Sequence, residues 1–280
     1  LFPWKIDYLK TIFWGLLCTL SVRSVAQIIR PAAMQPLHAP AYNQQFADIF
    51  SSKINPASLA GLSQFHVAAW LEKKYLLEGL RQYSILTGAP FAGGGWAFSM
   101  DYSGIPAYHQ WQSSLAYGKK LGRVSLGAQM NYTTQSSSGY GNKGWISAGI
   151  GALWQLSPVL TTGWQLYQLS GKLFSGNDGE RMAYGYTAGL GWLVAPSVLL
   201  EGAFIKHEAQ PASFLTGLHY KAGQRLMASC FLELTETHPS VRVKWQSGIF
   251  QVGVTGSYHA MLGFSPGILL IVGGSKKGGL

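Results

Sequence analysis

Residues Met182 to Lys206 read MAYGYTAGLGWLVAPSVLLEGAFIK, and their alternation decides the fold. Tyr184, Tyr186, Ala188, Leu190, Trp192 and Val194 share one parity, while Gly185, Thr187, Gly189 and Gly191 share the other. A period of two is that of an extended strand with one greasy face and one small or weakly polar face. Ala195-Pro196-Ser197 then sets a turn, because proline fixes φ and offers no strand donor. Val198, Leu200, Gly202 and Phe204 resume the alternation. The aromatic residues stand near the ends of the apolar face, and each arm has about the 9–11 residues that cross a bilayer as a tilted strand. The stretch reads as one hairpin of an outer-membrane barrel.

Composition agrees. The chain has 280 residues, 48% hydrophobic but only 11% charged, against roughly 25% charged in an average soluble protein. A water-soluble exterior needs those missing charges, whereas a membrane barrel turns apolar side chains outward and keeps polar ones inside. The longest apolar runs, such as Gly267 to Val272, are far shorter than the roughly 20 residues of a spanning helix. The formal charge is +10. Basic residues such as Lys119, Lys120, Lys143 and Lys172 fall in turns and strand ends rather than in a stripe interleaved with aromatics. That pattern suits anionic lipid headgroups and gives no reason to expect nucleic acid.

Lys5 and Lys10 precede the apolar run Thr11 to Val22, and Ser24-Val25-Ala26 follows it. This predicts a secretory signal over residues 1–26. Three basic residues against Asp7 put +2 of the charge there, leaving +8. Cys18 lies in the same run behind Leu17, where a lipoprotein signal has a small residue, so lipidation is not expected. Cys230 then stands alone, without a disulfide partner.

Residues 27–63 are irregular, interrupted by Pro31, Pro36, Pro40 and Pro56, and are expected to form a segment that tucks into the lumen as a hatch. Residues 64–274 carry about fourteen alternating segments, and 275–280 form a tail. The expected class is all-β: a transmembrane, up-and-down antiparallel barrel of about fourteen strands. Short turns at 118–122, 156–158, 195–197, 222–224 and 247–248 alternate with longer loops at 134–143, 170–181, 207–212 and 235–239. That is the asymmetry of periplasmic turns and external loops. The polar parity should face the lumen, which places Glu201, His219, Lys221, Glu233, Arg242 and Lys244 inside, since a charge on the lipid face costs about 2–4 kcal/mol near the midplane. Those six read first as a network of paired charges, with a substrate or ion path as the alternative.

Gly139-Tyr-Gly-Asn-Lys-Gly144 matches a phosphate-binding pattern, but no helix follows to present its N-terminus. Asp101 and His109 flank a short loop without a well-placed serine, and the seven histidines show no ligand spacing. Neither enzymatic activity, nor a cofactor, nor a metal is expected.

Asn55-Pro56-Ala57-Ser-Leu-Ala-Gly61 is the most informative short motif. Asn-Pro forces a turn, and the small residues after it can press against an inner wall. Its position just before the first strand resembles the segment that opens the barrel in FadL-like proteins and in the PorV/PorQ-type outer-membrane proteins of Bacteroidetes. Tyr117-Gly-Lys-Lys-Leu-Gly122 with the following Ser-Leu-Gly-Ala-Gln, Gly139-Tyr-Gly141, and Ser257 to Gly267 extend the resemblance over nearly the whole mature chain. The resemblance implies a fourteen-stranded barrel with an N-terminal hatch turning on Asn55, Pro56 and Ala57. It implies a component of a transport or type IX-like secretion apparatus, with cargo or secretion proteins as partners. Its alternatives are a passive FadL-like channel for small hydrophobic molecules and a barrel that supports a surface assembly. The chain departs from the pattern in being short for a fatty-acid transporter and in ending Lys276-Lys-Gly-Gly-Leu280 rather than on an aromatic residue.

Overall fold

A computed structural model describes residues 28–29, 38–139, 141–169, 181–208, 210–235 and 238–273. The expected signal segment 1–26, the tail 275–280 and most of the expected 170–181 loop lie outside the described residues. Fourteen antiparallel strands close into one barrel. They are β1 (His66–Lys73), β2 (Arg81–Phe91), β3 (Gly94–Ile105), β4 (Tyr108–Leu121), β5 (Val124–Ser137), β6 (Gly141–Gln155), β7 (Leu160–Leu169), β8 (Gly185–Ala195), β9 (Val198–His207), β10 (Ser213–Ala222), β11 (Leu226–Glu233), β12 (His238–Ser247), β13 (Phe250–His259) and β14 (Gly263–Gly273). The order is strictly sequential, and β14 closes on β1 with Gly273 opposite His66. Closure leaves no unpaired sheet edge, the condition for strands to stand in hydrocarbon.

The opening hairpin behaves as its parity requires. Leu190 and Trp192 are 44% and 50% exposed, whereas Gly185, Thr187 and Gly191 are buried on the lumen side. Outward aromatics gather towards the two strand ends: Trp111, Tyr186 and Phe214 at one, Trp154, Trp192, Tyr220 and Trp245 at the other. With an apolar outer wall between two such girdles, the protein is an integral outer-membrane barrel. Cys230 is exposed on the same outer face.

Two expectations about the strands need correction. The 118–122 turn shrinks to two residues between β4 and β5, and the 134–143 loop shrinks to 138–140 between β5 and β6. The glycine-rich Gly139–Gly144 stretch is therefore mostly the start of β6 rather than a loop. The turn between β3 and β4 is equally short at 106–107, so the long-loop end is not uniformly long.

Residues 38–63 lie inside the barrel, at the end that carries the short turns. They hold one helical turn, α1 (Ser51–Ile54), and a 3-10 turn, Pro56–Gly61. Ile49 and Phe50 pack on Ala68, Trp70, Leu86, Leu269 and Ile271 of β1, β2 and β14. Phe46 packs on Leu199 and Met227, and Leu59 on Ala97 and Ala116. The inward face beneath this segment is thus apolar along β1 to β4 and β14, while charged side chains of β9 to β12 also meet it.

Candidate functional site

The seat of the segment is built from glycine on one side. Asn55 accepts from Ala57 N at 3.0 Å, capping the 3-10 turn, and its amide donates to Ala152 O at 3.2 Å and Trp164 O at 3.1 Å on β6 and β7. Pro56 occupies the first turn, where a missing N–H costs nothing. Ala57 is fully buried. The turn's backbone lies against Gly95, Gly118 and Gly127 of β3, β4 and β5. A Cβ on Gly127 would sit 2.3 Å from Ala57 N, and one on Gly118 2.5 Å from Pro56 O. These contacts are with main chain, which cannot rotate away.

On the other side the seat is ionic. The buried Asp48 carboxylate receives Arg242 Nη2 and Lys244 Nζ from β12, and Phe50 N at 2.9 Å. Burial alone would raise its pKa, but the Arg242 and Lys244 charges outweigh burial and hold it well below the usual carboxylate range. Glu201 accepts from Ala41 N at 3.1 Å and Tyr42 N at 2.9 Å through one oxygen. Its other oxygen lies 3.2 Å from His219 Nε2. His219, wholly buried, reaches Ser229 Oγ at 2.9 Å through Nδ1. Lys221 donates to Gln45 O and stands 4.2 Å over the Phe46 ring. Lys53 reaches from α1 to Asp101 on β3.

The six charged residues picked from parity thus all lie on the lumen side of β9 to β12. Glu201, Lys221, Arg242 and Lys244 touch residues 38–63 directly. His219 acts through Glu201, and Glu233 instead accepts from Ser213 Oγ at 2.7 Å. Sequence reasoning missed Tyr42, Asp48 and Lys53, the hatch-side half of this network, and weighed Asp101 only against His109. The only signal for Asp48 and Lys53 was charge inside a proline-broken segment, and Tyr42 carried none. Asp101 and His109 do not meet: in the alternation of β3 and β4, Asp101 faces the lumen and His109 the outside.

Above the segment the lumen opens into a cavity of about 620 Å³. Its floor is His38, Ala39, Tyr42, Lys53 and Ile54. Burial, partly offset by the Glu233 carboxylate, pulls the His38 pKa down to about 4, so at neutral pH the floor imidazole is uncharged. The wall is two-sided. Gln82, Gln110, Gln112, Gln129, Asn131 and Gln165 line the arc from β2 to β7, whereas the arc from β9 to β11 joins the apolar Ala203, Ile205, Leu215 and Phe231 to Glu201, Ser213 and Glu233.

No protein-family model and no curated protein matches the sequence. Solved structures match through the fold. The toluene transporter TbuX of Ralstonia pickettii superposes with a TM-score of 0.61 at 8% identity, covering 80% of this chain and 92% of that one. The toluene transporter TodX of Pseudomonas putida gives 0.55 at 10% identity over 80% and 92%. CymD, a monoaromatic hydrocarbon channel, gives 0.56 at 10% identity over 84% and 93%. At these identities the likeness shows a shared barrel architecture.

Proposed function

We propose that the protein is a passive channel for small molecules with an apolar body, and that residues 38–63 are its hatch. The observation that carries this reading is the cavity: it is sized for one small solute, has an apolar patch on β9 to β11, and is floored by a segment that, apart from its chain connection into β1, is held by non-covalent contacts. The fold it shares with proteins named as toluene transporters and a hydrocarbon channel supports the same reading. The secretion-accessory role suggested by the PorV/PorQ resemblance gains no such support, since the proteins named above are transporters and channels. Uptake of radiolabelled toluene and benzyl alcohol by Gram-negative cells, whose lipopolysaccharide leaflet slows both, tests the proposal. Cells making the inserted barrel should take up at least one several-fold faster than cells without it. An unchanged rate for both, or stable co-purification with secretion proteins in its place, would overturn it.

A further inference from the structure

From the cavity lining we infer that the preferred solute is a neutral amphiphile: an apolar chain or ring carrying two or more uncharged hydrogen-bonding groups. The inference rests on the channel reading and narrows its solute class. Three observations support it, each excluding a different competitor.

The first is charge. Asp101, Glu201, Glu208 and Glu233 line the cavity, and Lys53 is the only lysine or arginine among the described lining residues. Lys53 is already engaged by Asp101 and by Ser84 Oγ at 2.9 Å. His38 supplies no cation at neutral pH. A fatty-acid or benzoate carboxylate entering here meets four carboxylates and no disengaged lysine or arginine, and leaving water without a counter-ion is costly.

The second is the carboxamide arc. A bare hydrocarbon lying on it would strip water from amides and give nothing back. Gln165 is 4% exposed and lines the cavity, and its side-chain amide makes no hydrogen bond among the described residues. Gln110 is 1% exposed and its Oε1 is buried without a partner among the described residues. Buried polar groups are paired in nearly all native proteins, so these amides stand ready for hydroxyl or amide groups brought by a solute. Their neighbours are held weakly: Gln112 to Ser114 at 3.2 Å, Gln129 to Asn131 at 3.3 Å and Asn131 to Ser147 at 3.4 Å. Bonds at the long end of the range exchange readily for better ones.

The third is placement. The apolar side chains Ala203, Ile205, Leu215 and Phe231 stand on the wall of β9 to β11, apart from the amide arc; the same wall presents Glu201, Ser213 and Glu233, so its apolar area is a patch. A fully hydroxylated solute would leave that patch unused, whereas an amphiphile covers both.

Equilibrium binding to the full barrel in nanodiscs tests this with 1-monooctanoylglycerol, octanoate and octane, which share one chain length. The monoglyceride should bind at least tenfold more tightly than octanoate, and more tightly than octane. Gln165→Leu should weaken monoglyceride binding about fivefold to tenfold and leave octane binding equal or stronger. Octanoate or octane binding as tightly as the monoglyceride to the unaltered barrel overturns the inference without any variant. So does a Gln165→Leu barrel that weakens all three alike. The channel reading is judged separately by cellular uptake: if octane or toluene still enters while the affinity order is reversed, the channel stands and this solute class falls.

Discussion

Replacing Asp48 by Asn should unseat residues 38–63 without disturbing the barrel. The side chains of Asp48, Arg242 and Lys244 are 8%, 2% and 8% exposed, so solvent screens little of their attraction. Removing one partner from a buried pair costs about 3–5 kcal/mol, mainly because the remaining charge is left uncompensated. Asn keeps the size and one acceptor oxygen, which favours the lower end. A loss of about 3 kcal/mol raises the unseated population roughly a hundredfold. Lys244→Met is the internal control. It leaves Asp48 paired with Arg242 and forfeits one charge-assisted hydrogen bond, about 1.5–3 kcal/mol. Seating is read from chymotrypsin protection of Phe46 and Phe50, which are 2% and 0% exposed when seated, and from single-channel conductance in planar bilayers. Asp48→Asn should be cut faster and conduct more than Lys244→Met, and both more than the parent. Equal behaviour of the two variants would refute the ionic account of the seat.

The same carboxylate fixes the acid limit. Its pKa when seated lies below the roughly 3.9 of a free Asp. A depressed pKa contributes stability that is complete above the free value and is lost as pH falls through the seated one. Conductance should therefore stay low from neutral pH to about 4 and rise only in stronger acid, and Asp48→Asn should abolish that dependence.

Asn55→Ala removes the cap and two bonds to the wall, about 2–3 kcal/mol together, and should raise conductance less than Asp48→Asn with no pH dependence of its own. Gly127→Ala forces a Cβ into main chain 2.3 Å away; overpacking of about 1–3 kcal/mol should lower the seated fraction, read as faster chymotrypsin cleavage. Leu190→Arg places a charge on the lipid face of β8 and should cost about 2–4 kcal/mol of barrel stability, measured by urea titration in lipid vesicles. The inward Gly189→Ser at the adjacent position would leave the lipid face unchanged, although Tyr42 crowds that site.

How much of this was legible depends on what touches each face of a strand. Where lipid lies outside and water or amides inside, as along Trp96 to Asp101 or Val124 to Asn131, contrast is high and parity alone orients every side chain. Beyond the membrane both faces are wet. The Ser- and Gly-rich ends of β5 and β6, Thr134 to Ser137 and Gly141 to Lys143, then lose contrast and read as loop although they pair fully. At the other end both faces are dry. Gly267 to Val272 is uniformly apolar because Ile268 and Leu270 meet lipid while Leu269 and Ile271 meet Ile49 and Phe50. An unbroken apolar run in such a barrel is thus a trace of something packed inside. The Asn55 turn was readable from local chemistry. The Asp48 pairing was not, because its partner Arg242 is 194 residues away and no period runs through an irregular segment.

The two sides of the seat differ in what breaking them exposes, and that difference sets a direction of movement. Contacts between the Asn55–Gly61 turn and the glycines of β3 to β5 are close-packed main chain; separating them opens a void that gains little from water. The Asp48 ion pairs to β12 and the Glu201 hydrogen bonds from β9 regain hydration when they part, which offsets part of their loss. Release should therefore begin on the ionic side and pivot about the glycine side. In a barrel with Cys230→Ala, a thiol placed at Ala47 should react with maleimide well before one placed at Ser58. Combining Asp48→Asn with Glu201→Gln should accelerate the first far more than the second. Equal acceleration at both positions would mean that the segment leaves as one body, and a faster rate at Ser58 would reverse the pivot.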